Sequence, residues 1–316
     1  MDTGKARGLR VGFIGLGVMG RPMAANLLKG GFKVTVFDLN PAAVDTIVGL
    51  GAGRAGSIGE AGAAEVVVTM LPDTPDVGAV IFGPGGLAET MQPGSTLIDM
   101  SSVSPVETRR FAAALAERGV AMLDAPVSGG FQGAESGTLS IMVGGEADVL
   151  ERCRPVLAAM GKTISHIGAS GAGQVCKVCN QVAVAINIEA VAESLTLARK
   201  CGVDPAKVRD ALLGGFARST ALDLHGKRVL DDNFAAGFRV ALQRKDLRLA
   251  LETGAATGTP LPVTALVQEL YGILAATGRG GWDNSSLAVL LQEFAGCGEE
   301  GAGTKARAQD GSRTAG

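Results

Sequence analysis

The sequence predicts an α/β protein in which a doubly wound, mostly parallel sheet is followed by an all-α second domain. Three observations predict this class. Short apolar runs alternate with helical stretches from residue 10 to 168, a glycine-rich turn follows the first run, and the second half shows only helical patterns. Strands that alternate with helices at this spacing favour a parallel sheet with helices on both faces.

The first half contains short apolar runs bounded by turn residues, and we predict each run as a strand: Val11–Ile14, Lys33–Phe37, Glu65–Met70, Ser95–Asp99, Ala121–Leu123, Ser140–Val143 and Thr163–Ile167. Segments rich in Ala and Leu lie between these runs, and their periodicity predicts helices over Met19–Lys29 and Val106–Glu117.

A long helix is predicted to open the second half. The segment Gln174–Lys200 contains no Pro or Gly, which permits one helix of about 40 Å at roughly 1.5 Å per residue. No charge lies between Lys177 and Glu189, so we expect this helix to be buried on most sides. Further helices are predicted over Pro205–Leu213, Leu242–Thr253, Pro262–Thr277 and Ser285–Gln292.

Length and pattern divide the chain into parts. A length of 316 residues is typical of about two domains. We predict a sheet domain over residues 1–168 and an all-α domain over residues 169–296. Residues 297–316 consist of Gly, Ala, Ser and charged residues without apolar periodicity, and we predict a disordered tail.

Composition excludes several classes of protein. Hydrophobic residues make up 47% of the chain and charged residues 19%, which excludes disorder for most of it. The 47 glycines show no G-X-Y period, so collagen is excluded. Lys and Arg total 29 against 31 Asp and Glu, which leaves no basic excess for nucleic acid or anionic lipid. We therefore expect a small-molecule ligand.

Cysteines and apolar segments indicate the compartment. Five scattered cysteines do not form a disulfide framework, and no signal peptide is recognisable, so we expect a cytoplasmic protein. No stretch approaches about 18 uncharged apolar residues, so we expect no membrane span. Cys176 and Cys179 form an isolated C-x-x-C pair that is more typical of helix packing than of a metal site, and we expect no metal.

The first predicted strand runs into a G-x-G-x-x-G turn. Gly15 permits the tight turn, Gly17 lets the backbone approach a pyrophosphate, and Gly20 lets the following helix pack against the strand. The start of that helix presents N–H groups to the anion. The turn predicts a Rossmann-type dinucleotide site with cofactor contacts from Gly15, Leu16, Gly17, Val18, Met19 and Gly20.

Asp38, at the end of the second predicted strand, indicates which dinucleotide is bound. Its carboxylate can accept hydrogen bonds from the adenosine ribose and would repel a 2′-phosphate, and Leu39 follows it rather than an arginine. We therefore expect NAD in preference to NADP. The alternative is that Asp38 only caps the turn before Asn40-Pro41.

Two further stretches carry a resemblance to a known family. Asp124–Thr138 begins Asp-Ala-Pro-Val-Ser-Gly-Gly and continues with small residues, and we predict a loop there. Gly171–Gln181 opens the long helix with Gly-Ala-Gly-Gln-Val-Cys-Lys-Val-Cys-Asn-Gln. Together with the glycine turn, these stretches resemble the β-hydroxyacid dehydrogenase family, from Arg10 to about Phe294. Three segments resemble the branch that reduces tartronate semialdehyde to glycerate: Lys177–Gln181, Gly214–Thr220 and Asn233–Arg239.

The resemblance implies that Lys177 is catalytic. Reduction of an aldehyde needs a hydride on carbon and a proton on oxygen, and a lysine ammonium can deliver that proton. The alternative, a solvated surface lysine, fits poorly with a helix that has no further charge until Glu189. Asn180 and Gln181 share the helix face of Lys177 and complete the predicted catalytic set. Much of the family has Asn at the position of Gln181, so the division of roles between these two amides stays open.

The resemblance also implies binding residues. Ser128, Gly129 and Gly130 would hold the substrate carboxylate through a hydroxyl and approachable backbone N–H groups, with a purely structural turn as the alternative. Further cofactor contacts are implied in two loops and in a second lysine motif of the α domain: Leu71, Pro72, Ser102 and Lys245.

From the resemblance we expect an NAD(P)-dependent oxidoreductase that reduces a short 3-oxo acid, with NAD preferred. Alternatives within this class are oxidation of 3-hydroxyisobutyrate or another 3-hydroxyacid and reduction of succinic semialdehyde. An alternative outside it is a dinucleotide-binding protein without turnover, whereas imine reduction is disfavoured because such relatives usually lack the lysine. The family also implies a homodimer or homotetramer.

Overall fold

The computed structural model describes residues 8–297 of the chain. The chain divides after Lys177 into two compact units. This division falls inside a helix, whereas the composition of the sequence changes earlier, near residue 168. Apart from Cys297, the tail predicted as disordered lies outside the described residues.

Within residues 8–297, the first unit contains one nine-stranded sheet. Its strands are β1 (Arg10–Ile14), β2 (Lys33–Phe37), β3 (Gly53–Arg54), β4 (Val66–Thr69), β5 (Thr96–Asp99), β6 (Ala121–Asp124), β7 (Val127–Ser128), β8 (Leu139–Gly144) and β9 (Gly161–Gly168). Every strand predicted from the sequence is present. The sequence missed β3 and β7, because a strand of two residues is too short to show alternation.

The strand order is β3-β2-β1-β4-β5-β6-β8-β7, and β9 pairs with β8. The pairs from β3 to β6 are parallel, whereas β8 runs antiparallel to β6 and β7. The first six strands therefore have the 3-2-1-4-5-6 order of the doubly wound dinucleotide-binding fold. The mostly parallel sheet predicted from the sequence is confirmed.

Helices cover both faces of this sheet. Phe13 and Val68 belong to one hydrophobic core and their neighbours Ile14 and Val67 to a second. Successive strand residues point to opposite faces, so a strand buried on both sides reads as a continuous apolar run. The helices of this unit are α1 (Gly20–Lys29), α2 (Pro41–Val48), α3 (Ile58–Gly62), α4 (Thr74–Phe82), α5 (Leu87–Thr90), α6 (Pro105–Ala116), α7 (Gly130–Ser136) and α8 (Ala147–Ala158).

The segment after β6 is not the loop that the sequence predicts. It contains β7 and α7, and Gly133 and Ala134 of α7 are buried. The side-chain amide of Asn26 in α1 donates a hydrogen bond of 2.7 Å to the carbonyl oxygen of Ala134. The small residues led to the prediction of a loop, but in the structure they allow a short helix to pack closely against α1.

The long helix α9 (Ala172–Lys200) begins in the first unit and continues into the second. It is followed by α10 (Pro205–Leu213), α11 (Thr220–Leu230), α12 (Val240–Thr257), α13 (Pro262–Leu274) and α14 (Leu287–Phe294). The predicted helix from Pro262 ends its regular part at Leu274 and continues as a π-helical turn, because Gly278 adopts a left-handed φ of +81°. Helix α11 was not predicted from the sequence.

By length and composition alone, α9 is long and apolar enough to cross a membrane, which the sequence analysis did not anticipate. In the second unit, however, its residues Ala185 and Ile188 pack into a core with Leu247 and Tyr271. The core helix of a globular protein meets the same criteria of length and composition, and we interpret α9 as such a helix. The prediction that α9 is buried on most sides is wrong for the single chain, because one face of the helix, with Cys179, Ala183 and Asn187, is exposed.

Candidate active site

Most of the predicted cofactor residues lie at one edge of the sheet in the first unit. The parallel strands β1, β2, β4 and β5 end at this edge. The glycine turn follows β1, Asp38 follows β2, Leu71 and Pro72 follow β4, and Ser102 follows β5. Ligands of open α/β sheets bind outside the carboxyl ends of the strands, so this edge is the candidate cofactor site.

The three glycines of the turn have different reasons to be glycine. Gly15 adopts φ +97°, and a Cβ atom there would overlap the carbonyl oxygen of Met70. A Cβ atom on Gly20 would overlap the carbonyl oxygen of Gly15. At Gly17, by contrast, no protein atom lies within 4 Å of the Cβ position, so packing within the chain does not require a glycine there. This open position fits the close approach of a pyrophosphate.

The start of α1 is also suited to an anion. Its N-cap residue is Met19, and no side chain caps the helix. Uncapped N–H groups at a helix N-terminus and the positive end of the helix dipole favour phosphate. Of the predicted contact residues, Leu16 is 1% exposed and packs into the core, whereas Val18 is 53% exposed. Contacts from Leu16 to a cofactor would therefore be limited, while Val18 is accessible.

Asp38 is half-buried and accepts two backbone hydrogen bonds. Its Oδ2 atom accepts from the N–H of Leu16 (2.5 Å), and its Oδ1 atom accepts from the N–H of Asn40 (2.7 Å). The contact to Asn40 matches the alternative that Asp38 caps the next turn. The contact to Leu16 in addition fixes the carboxylate to the glycine turn. Leu39 is 91% exposed and offers no cation to a 2′-phosphate.

The loops after β4 and β5 are connected through Ser101 and Asp99. The N–H of Leu71 donates to Oγ of Ser101 (2.9 Å), and the N–H of Ser101 donates to Oδ1 of Asp99 (3.2 Å). Oγ1 of Thr69 donates to the same Asp99 oxygen (2.9 Å). Burial raises the pKa of Asp99 to about 6, although the hydrogen bonds from Ser101 and Thr69 oppose this effect. The carboxyl group organises the two loops that hold Leu71 and Ser102.

The predicted carboxylate-binding turn lies at the junction of β7 and α7. Ser128 is the last residue of β7 and pairs with Ser140 of β8. Gly129 has φ +130° and Gly130 has φ +60°, conformations that L-residues with a side chain rarely adopt. The backbone conformation of the turn therefore requires glycine at both positions. The absence of side chains there also leaves the backbone N–H groups of the turn approachable.

Lys177 lies in the second turn of α9 and is the last residue of the first unit. The residue is 8% exposed, which excludes the solvated surface lysine considered above. A lysine is almost never buried without a reason, since its ammonium loses hydration. The residues that fix the start of this helix, Asp124 and Gln174, are also buried.

The remaining predicted residues lie in the second unit and are connected by hydrogen bonds. The amide nitrogen of Asn180 donates to Oε1 of Gln181 (2.8 Å), and Nε2 of Gln181 donates to Oδ2 of Asp246 (2.5 Å). Lys245 forms an ion pair with the other oxygen of Asp246 (3.1 Å). Both ends of the Gln181 amide are therefore engaged within the protein, whereas Asn180 uses its donor on Gln181 and is half-buried.

Asp124, Gln174 and Asp246 were assigned no role from the sequence, although the first two lie inside the stretches that carry the family resemblance. A signal was present. Asp38, Asp99 and Asp124 each stand at or directly after the end of a predicted strand, where a carboxylate can reach neighbouring loops. Asp246 directly follows Lys245 on a predicted helix.

The two residues of the C-x-x-C pair differ in burial. Cys176 is half-buried, whereas Cys179 is exposed. Within residues 8–297, no group of three or more His, Cys, Asp and Glu side chains is placed to hold a metal ion.

Comparison with known proteins extends over both units. A family model described as the NAD binding domain of 6-phosphogluconate dehydrogenase matches residues 10–168. A second model, described as NAD-binding of NADP-dependent 3-hydroxyisobutyrate dehydrogenase, matches residues 171–291. The two models together span nearly all of the described chain.

Individual relatives match over their whole length. The chain is 48% identical over 290 residues to the 2-hydroxy-3-oxopropionate reductase of Escherichia coli strain K12, which covers 91% of this chain and 98% of that protein. It is 41% identical to the 3-hydroxyisobutyrate dehydrogenase of Pseudomonas aeruginosa, over 89% of this chain and 98% of the relative. A solved structure of the 3-hydroxyisobutyrate dehydrogenase of Mycobacterium tuberculosis with L-serine superposes with a TM-score of 0.85 at 36% identity and covers 90% of this chain and 99% of that one.

Proposed function

The chain belongs to the β-hydroxyacid dehydrogenase family, NAD(P)-dependent oxidoreductases that act on CH–OH groups, and we propose that it reduces tartronate semialdehyde (2-hydroxy-3-oxopropionate) to glycerate. The observation that carries the catalytic part of this proposal is the buried Lys177 in the unit that holds the glycine turn. The substrate is supported by 48% identity to a reductase of that name.

Lys177 is the proton donor in this proposal. Its ammonium hydrogen-bonds to the aldehyde oxygen and transfers a proton to it as negative charge develops there. A bound reduced nicotinamide supplies the hydride to the aldehyde carbon. Since Lys177 is buried, bulk water competes little for the ammonium group. In the reverse direction the neutral amine accepts the hydroxyl proton of glycerate.

Ser128, Gly129 and Gly130 bind the substrate carboxylate. The Ser128 hydroxyl and the two glycine N–H groups act as donors, and the left-handed conformation of both glycines excludes bulkier residues from the turn. Lys245 and the loop residues Leu71, Pro72 and Ser102 contact the cofactor, as the family resemblance implies.

The hydrogen bonds of Asn180 and Gln181 on α9 support a different role for each side-chain amide. Gln181 is engaged at both ends, by Asn180 and by Asp246, so we assign it a positioning role. Asn180, whose carbonyl oxygen is not used in that chain of bonds, contacts the 2-hydroxyl group of the substrate. A polar contact at this point distinguishes a 2-hydroxy acid from a 2-methyl acid, because a buried amide left without its partner costs binding energy.

A matched pair of substrates tests the assignment. Tartronate semialdehyde and methylmalonate semialdehyde differ only by a hydroxyl in place of a methyl group at C2. We expect kcat/KM with NADH to be at least about 10²-fold higher for tartronate semialdehyde. Absence of turnover with either aldehyde would instead favour a dinucleotide-binding protein without catalysis.

The second candidate is oxidation of 3-hydroxyisobutyrate or a related 3-hydroxyacid, which the 41% identity to a 3-hydroxyisobutyrate dehydrogenase supports. This candidate predicts the opposite order in the same pair of substrates. Succinic semialdehyde belongs in the same panel as an unbranched 4-oxo acid, which is one methylene longer and carries no substituent at C2.

We further propose that NADH is the preferred cofactor. The Asp38 carboxylate and the neutral Leu39 disfavour a 2′-phosphate through charge repulsion without a compensating cation. The ratio of kcat/KM for NADH over NADPH should exceed about 10, and the double variant Asp38→Ser, Leu39→Arg should reverse it. A preference of the wild-type protein for NADPH would refute the proposed preference for NADH.

The family resemblance also supports a homodimer or homotetramer. Several large apolar side chains of the second unit are exposed in the single chain, among them Leu197, Phe216, Leu266 and Phe294. Light scattering behind a sizing column measures the mass, and a monomer at micromolar concentration would contradict the proposal.

A further inference from the structure

Two buried polar side chains hold the beginning of α9, and neither has a role in the chemistry described above. Asp124 is 1% exposed and stands at the carboxyl end of β6. Gln174 is 1% exposed and lies in the first turn of α9, three positions before Lys177. From their contacts we propose that Asp124 and Gln174 are positioning residues that set the location and charge environment of Lys177. The inference rests on the proposed role of Lys177 as proton donor.

Asp124 acts as an N-terminal cap from a distant part of the chain. Its Oδ1 atom accepts from the N–H of Gly171 (2.7 Å), and its Oδ2 atom accepts from the N–H of Gln174 (2.9 Å). Burial raises the pKa of Asp124, and backbone N–H groups of Gly171, Gln174 and Gly173 oppose that effect. A carboxylate at this end also balances the positive end of the helix dipole.

The close approach of helix and strand depends on glycines. A Cβ atom on Gly144 of β8 would lie 2.5 Å from Oδ1 of Asp124, and a Cβ atom on Gly173 would lie 2.6 Å from the Asp124 carbonyl oxygen. Any side chain at either position would therefore push the start of α9 away from β6. The Asp124 cap and the two glycines together therefore fix how closely the start of α9 lies to β6.

Gln174 connects the same helix turn to a cofactor loop. Its Nε2 atom donates to the carbonyl oxygen of Ser101 (2.8 Å), and its Oε1 atom accepts from the N–H of Val103 (3.1 Å). These two backbone groups flank Ser102, and Oγ of Ser101 binds the N–H of Leu71. The amide of Gln174 therefore ties the helix that carries the proton donor to both loops expected to contact the cofactor.

The elements next to this cap within the first unit carry further charged groups. Asp99 lies on the neighbouring strand in register with Asp124, and its pKa is raised in part by the Asp124 charge. Arg109 of α6 lies against Gly171, and Lys177 follows on α9 itself. Of these, only Lys177 is on the helix whose dipole Asp124 compensates. Removing the Asp124 charge therefore leaves the positive helix end unbalanced near the ammonium and favours its neutral form.

The test compares Asp124→Asn with Gln174→Met, and uses Asp148→Asn as the control, because Asp148 is an exposed acid on α8 that pairs with Arg152. For Asp124→Asn we expect kcat for aldehyde reduction to fall about 10–100-fold, because small displacements of a reacting group have effects of this size. The alkaline limb of the kcat–pH profile should move to lower pH by about 0.5–1 unit. The Kd for NADH should stay within about threefold of wild type.

Gln174→Met leaves the Asp124 carboxylate in place but removes the two hydrogen bonds to the backbone of Ser101 and Val103. We expect it to lower kcat and to weaken NADH binding by about 3–10-fold without moving the alkaline limb. A purely structural role for the two residues predicts lower thermal stability with unchanged kcat, Kd and pH profile, and that result would overturn the proposal. If Asp124→Asn does not fold, Gln174→Met still tests the proposal, because unchanged kcat and unchanged NADH binding in that variant would overturn it.

Lys177→Ala, measured in parallel, separates this inference from the proposed function. Normal turnover in Lys177→Ala would refute the role of the lysine itself. An inactive Lys177→Ala together with a kinetically normal Asp124→Asn would overturn only the positioning role.

Discussion

Asp99 in the first unit and Asp283 in the second are both buried, but their pKa values move in opposite directions. Burial raises the pKa of Asp99 to about 6. At Asp283 burial also favours the protonated form, but the nearby His225 ring (Nδ1 to Oδ1 3.6 Å), hydrogen bonds from Ser285 and Phe238, and the charge of Arg228 hold the pKa well below its ordinary value. The number of donors around each carboxylate explains the difference.

Oδ2 of Asp99 is buried without a hydrogen-bond partner among the described residues. Both oxygens of Asp283 accept bonds: Oδ2 from the N–H groups of Gly237 (2.8 Å) and Phe238 (3.1 Å), and Oδ1 from the N–H (3.1 Å) and hydroxyl (2.6 Å) of Ser285. Burial alone therefore does not set the charge of a carboxylate. The first unit keeps an incompletely satisfied acid beside its candidate site, whereas the second uses a fully satisfied one to join its loops.

The largest expected effect separates chemistry from stability. Lys177→Ala should lower kcat by about 10²–10⁴-fold, because the developing alkoxide loses its proton donor. The Kd for NADH and the melting temperature should change little, since the glycine turn and Asp38 are untouched. Kinetics, fluorescence titration and thermal melts measure these quantities. Lys200→Ala, at the exposed end of the same helix, is the control, and normal reduction by Lys177→Ala would contradict the assignment.

Asp283→Asn tests the second unit. Loss of the charge leaves Arg228 and His225 without their partner and replaces an acceptor by a donor, so we expect the free energy of unfolding at pH 7 to fall by about 2–4 kcal/mol. The folded-state pKa of Asp283 is depressed. Its contribution is therefore full above the unfolded-state pKa near 3.9 and is lost progressively as the pH falls from that value to the much lower folded-state pKa.

Urea unfolding at pH 7 and near pH 2 measures this dependence, and the difference in unfolding free energy between wild type and variant should shrink at the lower pH. Asp231→Asn is the matched control, because Asp231 forms an exposed pair with Lys227 and surface pairs contribute little. An equal effect at both pH values would contradict a charge-based role for Asp283.

Asp99→Asn should change the free energy of unfolding in the opposite direction to Asp283→Asn. The folded-state pKa of Asp99 is raised to about 6, so the wild-type protein loses stability as the pH rises from about 4 to 6. This cost is on the order of 2–3 kcal/mol and is absent from a neutral amide. The variant should therefore gain stability relative to wild type as the pH rises, in the same unfolding experiment. A constant difference across this range would show that Asp99 does not titrate as described.

The smallest effect concerns Glu189 of α9, which tests whether the second unit always satisfies its buried acids. Burial, with help from the neighbouring charge of Glu193, raises the pKa of Glu189 to about 7, and its Oε2 atom has no hydrogen-bond partner among residues 8–297. Glu189→Gln should stabilise the protein by about 1–2 kcal/mol at pH 8 and have no effect near pH 3.5, below the ordinary pKa of a glutamate at about 4.3. Destabilisation at pH 8 would indicate a partner that requires the charge.

The sequence was sufficient for the parts of this protein that depend on local pattern. Short apolar runs predicted seven of the nine strands in residues 8–297, and the signal is clearest for strands such as β4, which is buried on both faces and is therefore largely apolar. The spacing of Gly15, Gly17 and Gly20 predicted the turn after β1, since backbone conformation and close approach restrict these positions to small residues. The absence of Pro and Gly predicted α9, and its lack of charge predicted the burial of Lys177.

Tertiary structure alone decided what depends on residues far apart in the chain. The small residues after β7 form a helix because α1 provides a surface and a hydrogen bond for it, and no local pattern encodes that neighbour. Asp124 reaches the start of α9 across 47 and 50 positions, and Gln181 reaches Asp246 across 65. A sequence gives the chemical type of such side chains, but the donors they meet, and hence whether a buried carboxylate is charged, are fixed only when distant segments pack together.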